Sequence, residues 1–95
     1  MEFSRDELRF VIPDKITVRQ QLTYFSEITN VSAEKDYMVR LWYGARSLII
    51  TWECGLFNKD VDIEAEDNPR ITVLILWVSL KVRDYMNSLD RIPKN

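Results

Sequence analysis

Ile71-Thr72-Val73-Leu74-Ile75-Leu76-Trp77-Val78-Ser79-Leu80 is an apolar run broken only by Thr72 and Ser79. It follows Asn68-Pro69, an N-cap residue and a proline suited to the first helical position. Ile, Val and Thr also favour strands. The periodic pattern continues through Val82, Tyr85 and Leu89, and that length selects a helix. Projected at 100° per residue, Ile71, Leu74, Ile75, Val78, Val82, Tyr85 and Leu89 form one stripe. Val73, Leu76, Trp77 and Leu80 cover the other side of the first half only. A helix apolar all round is buried all round. Its first half is therefore expected at the centre of the fold or against a partner. Lys81, Arg83 and Asp84 cut the run well short of the ~20 residues a membrane span needs.

Working back from this helix, Ser32 reads as the N-cap of a second one reaching Cys54, with Gly55 as its stop. Glu34 and Asp36 suit its positive end. Met38, Leu41, Ala45, Leu48 and Trp52 recur at steps of three and four, widened by Trp42 and Ile49. Val39, Tyr43, Ile50 and Cys54 form a thinner stripe opposite. A helix with two apolar faces is sandwiched or shared. Gly44 and Ala45 permit close approach of a neighbouring helix. A first helix is expected over residues 18–29, because Thr17 and Gln20 make a capping box. Its Val18, Leu22 and Phe25 read as the packing stripe, with Tyr24 and Ile28 to one side.

The remainder is connection. Residues 1–15 form an N-terminal arm in which Leu8, Phe10 and Ile12 alternate against Arg9 and Pro13 ends the pattern. Such an arm covers its own core or adds onto a neighbour. Leu56 and Phe57 fold back on the core. Residues 58–68 are an acidic connector, and residues 90–95 a tail that Pro93 keeps from being helical. The expected architecture is therefore all-α: a single domain of 95 residues, a small bundle of three main helices with an extended N-terminal arm.

Composition narrows the chemistry. Thirteen basic against fifteen acidic residues give a net charge of −2, no basis for binding nucleic acid. No histidine is present, which removes histidine-dependent nucleophiles and metal sites. The single Cys54 excludes an internal disulfide, and a reading of it as a small packing residue suffices. Asp60, Asp62 and Glu64 start like a calcium loop, but Ala65 stands where glycine is required and Ile71 where glutamate is. With two glycines no phosphate-cradling loop assembles. No catalytic residue, metal or cofactor is assigned, and a non-enzymatic role is expected. The absence of a signal-peptide pattern reads as cytoplasmic.

Apolar surface beyond one seam points to a partner or self-association. Trp77 is the first interface candidate, because it lies off the long stripe and tryptophan anchors interfaces. Tyr43 and Ile50 follow, then Val39, Leu80 and Val73 on the same secondary faces.

Three segments carry a resemblance: FVIPDKITVRQQLTYFS (10–26), LWYGARSLIITWEC (41–54) and MNSLDRIPKN (86–95). Together they resemble the tail assembly chaperones of tailed bacteriophages. The resemblance implies a helical, non-enzymatic protein that binds the tape-measure protein and helps tail-tube protein assemble around it. It implies the short form, without the frameshifted extension. Two other roles fit the same surfaces: a head-to-tail adaptor assembled in a ring, and an inhibitor of a host defence enzyme acting through the acidic loop.

Overall fold

The computed structural model describes residues 1–30 and 36–89. In chain order they form β1 (Glu2–Arg5), β2 (Leu8–Val11), α1 (Val18–Asn30), α2 (Tyr37–Leu48), β3 (Thr51–Cys54) and α3 (Pro69–Ser88). The fold is α+β, not all-α: three helices accompany a three-stranded antiparallel sheet in the order β1-β2-β3. The implied wholly helical protein is corrected with it.

The N-terminal arm is a hairpin. Its two-residue turn is Asp6-Glu7, and Asp6 takes the positive φ of 52° that such turns require and aspartate tolerates. The sheet register aligns Phe3, Phe10 and Trp52 across the three strands. These rings touch in sequence at 5.1 and 6.4 Å between centroids. The opposite face is polar, where Arg9 Nε donates to Glu2 at 2.8 Å and its Nη1 to Glu53 at 2.6 Å.

The second helix is shorter than expected at both ends. Asp36, not Ser32, is its N-cap and accepts from Met38 N–H at 2.8 Å; Ser32 and Glu34 lie outside the described residues. Ile49 leaves the helix with extended backbone, and Ile50 N–H donates to Val11 at 2.8 Å. Thr51–Cys54 then pairs with β2. Two β-branched isoleucines and a threonine, followed by exposed and half-buried positions in alternation, are strand chemistry. Gly55 follows a strand instead of stopping a helix.

The other two helices begin where the local signals place them. Thr17 and Gln20 exchange backbone–side-chain hydrogen bonds of 2.8 and 3.1 Å, closing the capping box of α1. Asn68 accepts from Arg70 N–H at 3.0 Å, with Pro69 opening α3. Ile71, Leu74, Ile75, Val78 and Val82 are buried as the stripe requires; Tyr85 is half-buried and Leu89 exposed. Ser79 is also buried, its hydroxyl donating to the Ile75 carbonyl at 2.8 Å.

Helix α2 lies between α1 and α3. One core joins Leu8, Phe10 and Ile12 of the hairpin side, Trp42, Ala45 and Leu48 of α2, and the α3 stripe. Leu56, Phe57, Val61 and Ile63 of the following connection pack against it. Trp52 Nε1 donates to the Phe57 carbonyl at 3.1 Å, tying that connection to β3. The acidic segment is turned by its own side chains: Asn58 accepts from Asp60 N–H at 3.1 Å and Asp62 from Glu64 N–H at 3.0 Å. Among the described residues no helix is long and apolar enough to cross a membrane. The tail, residues 90–95, lies outside the described residues.

Candidate partner-binding face

Helix α1 is the element whose apolar surface is not used up by the fold. Its side toward α2 presents Tyr24, its one buried residue, and Ile28. Both meet Gly44, where a Cβ would lie 2.7 Å from Ile28 Cγ1 and 3.1 Å from the Tyr24 ring. The absence of a side chain at Gly44 thus forms the notch into which α1 docks. Burial at this seam pushes the Tyr24 phenol up to about 12.

The consequence lies on the rest of α1. Val18, Leu22 and Phe25 are 73%, 64% and 51% exposed. The expectation that they form the packing stripe is corrected; the narrower Tyr24/Ile28 side does the docking. Steps of four and three place the exposed trio along one flank over two turns. A shallow open trough runs from the Val18 and Leu22 edge of this flank round the helix to Glu27, lined also by Arg19, Thr23 and Ser26. All six belong to α1, so the trough is an outer helix surface and not an enclosed cavity. A second, polar depression is lined by Glu27, Tyr43, Arg46, Ser47, Lys59 and Asp60, with the Arg46 guanidinium 4.6 Å from the Tyr43 ring centre. Glu27 borders both.

The interface candidates from sequence are spread over α2, the link after it and α3. Trp77 is half-buried and meets Phe10 edge-to-face at 5.8 Å, so its ring serves the core. Tyr43 is half-buried under Arg46, and Val39 and Leu80 are also half-buried. Ile50, at 64%, and Val73, at 48%, are the exposed members. Ile50 stands between α2 and β3, away from either helix face. Sequence reasoning missed Val18, Leu22 and Phe25 as a surface. The available signal was the combination of two apolar sides on one short helix with a glycine in the next helix.

This surface can take up apolar side chains, and its rim can form charge pairs. Ser47, the one serine of the polar depression, has its hydroxyl engaged by the Gly44 carbonyl at 2.6 Å. Among the described residues no group of three acidic or cysteine side chains is placed to hold a metal ion. Cys54 is half-buried on the inner face of β3. Comparison of the chain with protein-family models, curated proteins and solved structures found no match.

Proposed function

We propose that the protein is a non-enzymatic binding module that receives an apolar helical segment of another protein along α1. The observation that carries this reading is the exposure of Val18, Leu22 and Phe25 on one flank of a helix docked by its other side. Apolar anchors at i, i+4 and i+7 match how a helix presents itself to a partner helix or groove. An exposed apolar row of this kind marks interaction sites.

The role that gives this binding a purpose is that of a tail assembly chaperone, acting in the cytoplasm of a bacterial host. Its partner would be the tape-measure or tail-tube protein. The identity of that partner rests on the resemblance of the three quoted segments. The apolar α1 flank supplies the physical means, because its row of exposed anchors suits an apolar helix of such a partner.

Calorimetric titration with tape-measure segments tests the reading. Wild type is expected to bind at least one segment, and Leu22→Asp to bind at least about tenfold more weakly, the loss of a central apolar anchor. Absence of binding to every segment removes the chaperone role. Binding that Leu22→Asp does not weaken removes α1 as the site.

A further inference from the structure

We propose that the protein forms a two-fold homodimer through the outer side of α3, paired antiparallel with α3 of a second copy. This surface is separate from the α1 flank, because α2 lies between the two helices. Its basis is a narrow apolar strip closed at its ends by opposite charges. At 3.6 residues per turn, Arg70, Val73, Trp77, Leu80 and Asp84 fall within an arc of about 80°. The buried Ile71, Ile75, Val78 and Val82 lie on the other side of the helix. Arg70, Val73 and Asp84 are exposed, and Trp77 and Leu80 are half-buried. Arg70 and Asp84 stand seven residues to either side of Trp77. The strip therefore matches itself under a two-fold rotation about Trp77, with the charges exchanged.

In that arrangement Trp77 meets its symmetry mate at the axis, and Val73 of each copy faces Leu80 of the other. Arg70 of each copy faces Asp84 of the other at the two ends. The contact is isologous, as a two-fold interface requires. Each charged residue holds one partner in its own chain: Arg70 Nη2 donates to Glu7 at 2.7 Å, and Asp84 Oδ1 accepts from Arg83 at 3.2 Å. Arg70 Nη1 and Asp84 Oδ2 have no ion-pair partner among the described residues and are left for the second copy. Each Asp84 also approaches the N-terminal half of the other α3, the end whose partial positive charge favours it. A parallel copy would set Arg70 against Arg70 and Asp84 against Asp84. The strip is about 21 Å long at 1.5 Å per residue. One helix seam of that length falls short of the ~800 Å² per partner of a standard interface, so the dimer is weak and reversible. It leaves the α1 flank of each copy open.

Sedimentation equilibrium of the full chain, from micromolar to millimolar, tests this. The expected result is a rise in mass from the 11.3 kDa monomer toward twice that value. Val73→Asp should abolish the rise, and Leu22→Asp on α1 should leave it unchanged. Arg70→Glu and Asp84→Arg should each weaken association about tenfold, through two like-charge contacts. An equimolar mixture of these two variants should recover it, because every end contact in the mixed dimer joins opposite charges. Far-UV circular dichroism checks that each variant is folded. A wild-type monomer at every concentration overturns the dimer and leaves the α1 reading standing. Self-association that Leu22→Asp abolishes, or that the mixture does not recover, overturns the α3 seam.

Discussion

Gly44 is the residue on which the packing of α1 depends. A methyl group there would meet Ile28 Cγ1 at 2.7 Å and Ile28 Cδ1 at 2.9 Å, closer than carbon atoms approach. Alanine would gain about 1 kcal/mol of helix propensity. Overpacking in a seam costs roughly 1–3 kcal/mol. Gly44→Ala is therefore expected to be net destabilising by about 1 kcal/mol, read from the urea midpoint. An unchanged or raised midpoint would show that α1 is not seated in this notch. Tyr24 reports on the same seam. Its phenol, raised from 10.0 to about 12, is neutral in the fold where an unfolded chain would already ionise. The stabilisation is complete below pH 10 and is lost as pH rises toward 12. Ultraviolet titration should show a tyrosine ionising near pH 12, and Tyr24→Phe should remove that step.

At the scale of elements, exposed pairs of opposite charge lie across the outer side of the sheet and between the hairpin turn and α3. Arg9 bridges Glu2 and Glu53, and Arg70 of α3 donates to Glu7 of the turn at 2.7 Å. Hydrogen bonding to these guanidinium groups, with their charge, holds Glu2 and Glu7 below the ordinary value of 4.5. A depressed carboxylate stabilises above its unfolded value and loses that contribution as pH falls through the folded one. Stability is thus expected to decline below pH 4.5. The Arg9→Gln, Arg70→Gln double variant should show a shallower acid slope in urea unfolding. An identical slope would mean the pairs contribute nothing, as exposed pairs sometimes do.

For the whole molecule, the division between core and free surface makes an opposite prediction for two apolar residues. Leu22→Asp lies on the exposed flank and should alter stability by no more than about 0.5 kcal/mol. Trp77→Ala removes a ring packed on Phe10 and should cost roughly 2–3 kcal/mol, less than a fully buried aromatic would. Thermal unfolding of the two variants separates the assignments. A large loss in the first, with none in the second, would exchange the roles of α1 and α3.

Much of the local order was legible before the fold. The capping box of Thr17 and Gln20, the Asn68-Pro69 start and the buried α3 stripe depend on hydrogen bonds within one turn and on a 3.6-residue period, which neighbouring residues carry by themselves. The sheet was not legible in that way. Arg9 and Glu53 are partners 44 positions apart, and four-residue strands are too short to announce themselves against a helical pattern running through Leu48. The α1 flank was hidden for a related reason. Val18, Leu22 and Phe25 make the better stripe on paper, yet a notch in another helix chose Tyr24 and Ile28 to face inward. The sequence alone determined where α1 and α3 begin and which side of α3 is buried, because those are local matters. Only tertiary structure decided which strands pair and which apolar side of α1 is left exposed, because both depend on surfaces that distant parts of the chain bring together.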